Sequence, residues 1–316
     1  MAQETVGFIG LGLMGHGMAK NIVEKGYPLV VAGRRNRKPV DDLVARGAIE
    51  AKTPREVGEK ASVVFLCVTG SPEVEAVVAG LREGLKPGSV IVDCSTSDPV
   101  STARLVDELK PAGIDFVDAP LSRTPKEAWE GKLDTMVGAS EDVFARIKPI
   151  LETWAGKVVH IGGPGDGHRM KLLNNFISLG YAAIYAEALA LSRKVGIAPE
   201  RFDSVIRGGR MDCGFYQTFS RWTLEGDPDA HKFTLANAYK DLRYLASMAN
   251  AAGVAGGISD AVKNSFALAH GAGGDADFVP MLASYVAEAN GIDDGLIDKL
   301  PSRAVKSSRD SGFSEA

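Results

Sequence analysis

The sequence predicts a two-domain α/β protein, because the pattern of apolar residues changes at one glycine-rich segment. Before residue 162, short apolar strands alternate with helical stretches, which indicates an N-terminal Rossmann-type doubly wound sheet of mostly parallel strands. After residue 167 only helical patterns follow, and the first of them, at 167–196, is apolar on nearly every face. We therefore expect an all-α C-terminal domain led by a long, buried central helix.

The glycine-rich segment 162–167, with four glycines and one proline, is the predicted hinge. It divides the chain into a dinucleotide-binding domain at 1–164 and a helical substrate and oligomerisation domain at 165–300. Residues 301–316 are polar and serine-rich, and we expect them to form a mobile tail. A length of 316 residues also favours two cores over one.

The composition excludes several classes of function. A hydrophobic content of 45% with a net charge of -4 is typical of a soluble protein and offers no basic surface for nucleic acid. The longest apolar run, at 61–68, is too short to cross a membrane, and no signal peptide precedes the first strand, so we expect a cytoplasmic protein. The three cysteines and five histidines show no metal-binding spacing, so no metal site is predicted.

The first strand is expected at 6–9, and it runs through a GxGxxG turn into a helix at 14–25. In such a turn Gly10 permits the tight bend, Gly12 lets a pyrophosphate approach the backbone, and Gly15 lets the helix pack on the strand. The alternative is a tight turn in an unrelated α/β protein. The flanking strands favour a dinucleotide site, with predicted contacts from Gly10, Gly12, Leu13, Met14 and Gly15.

The loop after the second strand, at 29–32, is basic. An NAD site usually carries Asp or Glu at this point to bind the ribose 2′-hydroxyl. This chain instead has Arg34 and Arg35, which suit a 2′-phosphate. NADP is therefore favoured, with NAD possible, and the alternative is a solvated basic loop.

The alternation of strands and helices continues to residue 161. Further strands are predicted at 62–68, 89–93, 115–118, 132–137 and 158–161. Ligands of a parallel sheet bind where the strands end, so the loops at 69–71, 95–97 and 122–124 should face the cofactor and substrate. The additional predicted cofactor contacts are Val68, Thr69, Ser95 and Thr96. For Ser95 and Thr96 the alternative is a capping role before the helix at Pro99.

The helical half is expected to contain helices at 168–195, 199–208, 213–225, 233–251, 257–271 and 278–290. Lys171 and Asn175 lie in the first turns of the long helix and share a face, because they are four residues apart. A lysine and an amide in the first turns of an apolar helix suggest a functional site. The alternative is a solvated lysine beside a satisfied asparagine.

Four ordered motifs together resemble the β-hydroxyacid dehydrogenase family, which includes 3-hydroxyisobutyrate dehydrogenases, tartronate semialdehyde reductases and sulfolactaldehyde reductases. The resemblance covers about residues 5–295. Its motifs are the cofactor fingerprint from Gly7, the substrate segment from Asp118, the catalytic segment from Gly167 and the later lysine motif from Lys240.

The resemblance implies an NAD(P)-dependent oxidoreductase that acts on a small anionic aldehyde or hydroxy acid. It implies that Lys171 is the general acid and base, that Asn175 holds it, and that Lys240 reaches the active site and contacts substrate and cofactor. The residues it assigns to the substrate's anionic end are Ser122, Arg123 and Thr124. It also implies a homo-oligomer, a dimer or a tetramer, because family members of this size bury helices between subunits.

One departure from the family pattern concerns the substrate segment, where Ser-Gly-Gly is usual and this chain has Ser122, Arg123 and Thr124. Backbone N–H groups of the glycines normally hold the substrate's acid group. An arginine can instead grip a carboxylate or a sulfonate with its fork of donors, so both anions are candidates. The alternative is a surface arginine paired with Glu127.

Other functions that share this fold remain as alternatives. A 6-phosphogluconate dehydrogenase would have a much longer helical domain, and imine reductases typically lack the lysine that stands here at 171. A non-catalytic NADP-binding sensor or interaction module of the same fold is the alternative from another class of function. Oxidation of NADPH in the presence of small aldehydes would separate an enzyme from such a module.

Overall fold

The computed structural model describes residues 4–33 and 36–303. These residues form two compact units, one ending at Leu172 and the other beginning at Leu173. The division lies inside the long helix, a little after the glycine-rich segment at which the sequence places a boundary. Arg34, Arg35 and most of the predicted tail, 304–316, lie outside the described residues.

The first unit is built on one sheet, which confirms the predicted α/β class. Its strands are β1 (Val6–Ile9), β2 (Leu29–Ala32), β3 (Ile49–Glu50), β4 (Val63–Leu66), β5 (Val90–Asp93), β6 (Asp115–Asp118), β7 (Leu121–Ser122), β8 (Leu133–Gly138) and β9 (Ala155–Gly162). The order runs β3-β2-β1-β4-β5-β6-β8-β7, with β9 paired to β8. All pairs are parallel except those of β8 with β6 and β7.

The helices of this unit are α1 (Gly15–Glu24), α2 (Lys38–Ala45), α3 (Pro54–Lys60), α4 (Ser71–Leu81), α5 (Pro99–Leu109), α6 (Pro125–Glu130) and α7 (Glu141–Leu151). Strands β1, β2, β4 and β5 are buried along their whole length. This is expected of a parallel sheet that is covered on both faces. Alternate residues of each strand fall into two separate apolar clusters. Phe8 and Phe65 belong to one, and their neighbours Ile9 and Val64 belong to the other.

The helical patterns predicted for the second half are confirmed. Helix α8 (Asp166–Lys194) spans the division, and α9 (Pro199–Ile206), α10 (Gly214–Glu225), α11 (Leu235–Ala251), α12 (Gly257–Gly271) and α13 (Leu282–Ala289) follow it. At 29 residues, α8 is about 43 Å long. None of the helices among the described residues has the length and hydropathy needed to cross a membrane.

The expectation that α8 is buried on every face is wrong for the single chain. Side chains spaced three, four or seven residues apart along it are 45–63% exposed, and they include Ile177, Tyr181, Ile184 and Leu191. We call these four residues the apolar stripe of α8. The opposite face packs into the second unit through buried side chains such as Leu179 and Ala186.

The predicted tail begins with residues that the structure does describe. The Ser302 hydroxyl donates a hydrogen bond of 2.6 Å to Oδ2 of buried Asp277, and the Ser302 backbone N–H donates to Oδ1 at 2.9 Å. The Tyr285 hydroxyl also donates to Oδ2 of Asp277. These bonds attach residue 302 to the second unit.

Candidate active site

The glycine turn after β1 has the geometry that a dinucleotide requires. Gly10 has a φ of +101°, in the region that favours glycine, and a Cβ there would collide with the Cys67 carbonyl oxygen. A Cβ on Gly15 would collide with the Gly10 carbonyl oxygen, so only glycine lets α1 begin this close to the strand. Around Gly12 no described atom would lie within 4 Å of a Cβ, which leaves open space beside the backbone.

The N-terminus of α1 fits an anionic ligand. No side chain makes a capping hydrogen bond at its N-cap residue, Met14, and the first turn carries no acidic residue. The positive end of the helix dipole therefore favours phosphate oxygens at this turn. Leu13 lies over the turn with 81% of its side chain exposed. These features fit the predicted NAD(P) site.

In the described part of the basic loop, the Arg37 side chain is already paired with carboxylates. Arg37 forms ion pairs with Glu50 on β3 and with Asp41 on α2, where the Nη2–Oδ1 distance is 3.0 Å. His16 in α1 likewise contacts Asp42 at 2.8 Å. Arg34 and Arg35, the predicted contacts of a 2′-phosphate, lie outside the described residues.

The loops after β4 and β5 are tied together by Ser95. Its hydroxyl accepts a hydrogen bond of 2.9 Å from the Val68 backbone N–H, and its own N–H donates to Oδ1 of Asp93. For Ser95 the alternative role in helix capping is wrong, because Asp98 caps α5 by accepting from the Val100 N–H. Ser95 and the adjacent Thr96 are thus held at the strand ends where the sequence predicts cofactor contacts.

The substrate segment has an unusual backbone at Arg123. Its φ of +87° makes it the one non-glycine residue with positive φ among residues 4–33 and 36–303. The family pattern has glycine here, so the backbone conformation matches the family although the side chain does not. Holding an arginine in this conformation costs about 1–3 kcal/mol.

The Arg123 side chain pairs with Asp134 on β8, and not with Glu127, the partner named in the alternative. The Nε–Oδ2 distance is 2.9 Å, and about half of the guanidinium side chain is exposed. The Asp134 carboxylate raises the pKa of Arg123. Glu127 instead completes a capping box with Thr124 at the start of α6, so the Thr124 hydroxyl has a structural role there.

A buried acid that sequence reasoning missed holds the start of α8. Asp118, the last residue of β6, accepts hydrogen bonds from the Gly165 N–H at 2.5 Å and the His168 N–H at 2.6 Å. Burial raises the pKa of Asp118, while His168 and these two N–H donors oppose the rise. The Asp opening the substrate motif was visible in the sequence, but its partners lie 47 and 50 residues away.

Lys171 lies one turn beyond His168 on α8 and is half-buried. Asn175 follows on the next turn of the same helix and is buried. Its Nδ2 donates a hydrogen bond of 2.7 Å to Oδ2 of Asp241 on α11, and the other carboxylate oxygen lies 3.2 Å from Nζ of Lys240. The second unit therefore joins Asn175 and Lys240 through buried Asp241, a residue that the sequence did not single out.

Comparisons with known proteins agree with this geometry. Residues 5–162 match the family model described as the NAD binding domain of 6-phosphogluconate dehydrogenase. Residues 165–285 match the one described as the NAD-binding domain of NADP-dependent 3-hydroxyisobutyrate dehydrogenase. The chain is 37% identical over 209 residues to 2-hydroxy-3-oxopropionate reductase of Escherichia coli K12, covering 65% of this chain and 70% of that protein.

The chain belongs to the β-hydroxyacid dehydrogenase family.

Two further relatives of the family extend the match. The 3-sulfolactaldehyde reductase of Escherichia coli K12 is 31% identical over 250 residues, covering 78% of this chain and 83% of that protein. The solved structure of Mycobacterium tuberculosis 3-hydroxyisobutyrate dehydrogenase, determined with L-serine, has the same fold. Its TM-score is 0.80 at 24% identity, over 90% of this chain and 99% of that one.

Membership of the family establishes the class of activity. The chain is an NAD(P)-dependent oxidoreductase that acts on hydroxyl and aldehyde groups, as its relatives are. The match at 165–285 favours the hydroxyisobutyrate type of helical half over that of a 6-phosphogluconate dehydrogenase. Because the relatives are reductases and dehydrogenases, the family also favours an enzyme over the non-catalytic binding module.

Proposed function

We propose that this enzyme reduces a small aldehyde with an anionic tail, or oxidises the matching hydroxy acid, with Lys171 as general acid and base. The observation that carries the proposal is the placement of Lys171 one turn into α8, whose first turn is fixed by Asp118 at the end of β6. The same unit holds the glycine turn that fits the cofactor. The test is a panel of carboxylate- and sulfonate-bearing aldehydes, assayed in parallel with NADPH and NADH.

The proposed reduction adds one hydride and one proton to the carbonyl group of the substrate. A reduced nicotinamide held by the glycine turn and the N-terminus of α1 would supply a hydride for the carbonyl carbon, which would leave the negative charge on the carbonyl oxygen. The Lys171 ammonium then gives its proton to that oxygen, and in the oxidative direction the neutral amine removes it. The resemblance assigns Asn175 to holding the catalytic lysine and Lys240 to the substrate. Within the second unit, buried Asp241 contacts both Asn175 and Lys240.

Arg123 is the proposed anchor for the anionic tail of the substrate. Its Asp134 contact uses Nε, and the half-exposed guanidinium still carries further N–H donors for an anion. Ser122, whose register partner on β8 is Asp134, lies beside it, and Thr124 follows. The relatives named for 2-hydroxy-3-oxopropionate and for 3-sulfolactaldehyde support small aldehydes with a carboxylate or a sulfonate.

We propose NADP as the preferred cofactor on the basis of Arg34 and Arg35. Replacing both with alanine is expected to weaken NADPH binding by about 2 kcal/mol, or roughly 30-fold, through loss of charge-assisted bonds to a phosphate. Binding of NADH should stay within about twofold, since NADH lacks that phosphate. Fluorescence titration of both cofactors measures the difference, and equal losses would contradict recognition of the 2′-phosphate.

We further propose that the apolar stripe of α8 packs against a second copy of the chain in a homodimer or homotetramer. Contiguous exposed apolar patches of this kind mark protein interfaces. Ile184→Asp places a charge in the stripe and is expected to convert the oligomer to a 33.4 kDa monomer in light scattering. Val205→Asp, which charges a more exposed apolar residue on α9, is the control and should leave the oligomer intact. A wild-type monomer would refute the proposal.

The free cysteines also bear on location. Cys67, Cys94 and Cys213 are free thiols and form no disulfide bond. Burial raises the pKa of the Cys67 thiol to about 12. Thiols kept in this form suit a reducing compartment. We therefore propose a cytoplasmic location.

A further inference from the structure

The first turn of α8 is held by a carboxylate from the sheet. Both oxygens of Asp118 accept backbone N–H donors, one from Gly165 and one from His168, and the acid is fully buried. These donors belong to the helix start, where no carbonyl of the preceding turn is available to accept them. These two hydrogen bonds therefore fix the position of the helix start relative to Asp118 and the end of β6.

The His168 ring ties the same turn to the loop after β5. Its Nδ1 lies 2.8 Å from the Thr102 hydroxyl on α5, and its Nε2 lies 3.2 Å from the Ser95 carbonyl oxygen. The ring is fully buried, with carboxylate oxygens of Asp93 and Asp118 at 3.6 and 3.9 Å. Asp93 in turn accepts from the Ser95 N–H. One buried network thus joins the strand ends, the predicted cofactor loop and α8.

Two glycines make this close approach rigid. A Cβ on Gly167 would lie 2.8 Å from the Asp118 carbonyl oxygen and would collide with the Met136 carbonyl oxygen. A Cβ on Gly138 would lie 2.5 Å from Oδ1 of Asp118. The helix start therefore touches the backbone of β6 and β8 directly, with no flexible side chain between them.

We propose that Asp118 and His168 are positioning residues that set the placement of Lys171 relative to the cofactor loop at Ser95. Lys171 follows His168 by three residues, about 4.5 Å along the helix axis, so a shift of the first turn moves the lysine with it. The inference rests on the proposed acid–base role of Lys171. Asp118 and His168 are fully buried, so in this proposal they act through the helix and the loop.

The test uses variants that remove single bonds from the network. Asp118→Asn keeps the shape but replaces one acceptor oxygen with a donor, and Thr102→Val removes the hydroxyl that contacts His168. The matched control is Thr135→Val, because Thr135 is equally buried but its hydroxyl donates only to the Ala119 and Pro120 carbonyl oxygens. His168→Gln completes the set, and if it fails to fold, the first two variants decide.

Hydrogen–deuterium exchange gives a readout that does not depend on turnover. We expect Asp118→Asn to speed exchange of the amides at 165–168 by about tenfold or more over wild type, while Thr135→Val leaves them unchanged. We expect kcat to fall about 10- to 100-fold in Asp118→Asn and less in Thr102→Val, with NADPH Kd within about threefold. The isotope effect with C4-deuterated NADPH should rise, because hydride transfer becomes slower than product release.

Two results would overturn the proposal. One is a kcat in Asp118→Asn and Thr102→Val within twofold of the wild-type value; the other is an equal fall in these two variants and in Thr135→Val, which would indicate a general loss of stability. Lys171→Ala, measured in the same series, separates the two hypotheses. If that variant keeps its activity, the proposed function has failed; if it is inactive while Asp118→Asn is normal, only the positioning role has failed.

Discussion

Lys171→Ala is expected to lower kcat by about 100- to 10,000-fold, the range that general acid–base groups contribute. The alkoxide formed by hydride transfer needs a proton, and the alanine variant must take it from water. Binding of NADPH should stay close to wild type, because the proposed phosphate contacts, the glycine turn and the N-terminus of α1, do not include the lysine. Steady-state kinetics and fluorescence titration of the cofactor measure the two effects.

The matched control for that variant is Lys194→Ala. Lys194 is an exposed lysine at the C-terminal end of α8. Its substitution removes one positive charge from the same helix, at the end opposite to Lys171. Its kcat should match that of wild type. A Lys171→Ala enzyme that retained a tenth of the wild-type kcat would rule out the acid–base role.

Arg123→Ala is expected to lower kcat/KM roughly 150-fold for the best anionic aldehyde. This corresponds to a loss of about 3 kcal/mol of transition-state stabilisation. The loss should appear in kcat as well as in KM, because the anchored tail fixes where the carbonyl lies. An uncharged aldehyde of similar size should lose less than about threefold, since it makes no ionic bond with the guanidinium. Equal losses on both substrates would contradict the anchor.

Two further substitutions at this residue separate anchoring from backbone strain. Arg123→Gly removes the guanidinium and also relieves the positive φ, so it is expected to stabilise the first unit by about 1 kcal/mol and to move substrate preference towards carboxylates held by backbone N–H groups. Arg123→Lys keeps the charge without the fork and should recover only part of the activity. A thermal melt with the kinetic series would show whether stability and specificity move in opposite directions.

The sequence predicts those parts of the fold and site that depend on local patterns. Strands β1, β2 and β6 were predicted to the residue, because continuous apolar runs end at glycine or at polar residues. The glycine turn was predicted because Gly10 and Gly15 act on their immediate neighbours. The two-residue strands β3 and β7 were missed, since two residues cannot show an alternation.

The contacts that the sequence could not predict are all long-range. Asp134 becomes the partner of Arg123 because β7 pairs with β8 and sets Ser122 opposite Asp134. Nothing local distinguishes that acid from Glu127, which is closer in the chain. The Asp118 and His168 network likewise depends on where β6 ends relative to α8. The exposed stripe of α8 was predicted to be buried because composition does not reveal which partner covers an apolar face.

The strained backbone at Arg123 has an evolutionary consequence. Every arginine codon is a single base change from a glycine codon, and glycine is the residue that this φ favours. A lineage released from the need for an anionic substrate would therefore gain stability by its easiest mutation at this site. At this position the substitution that removes the proposed guanidinium anchor is also the one that relieves the backbone strain.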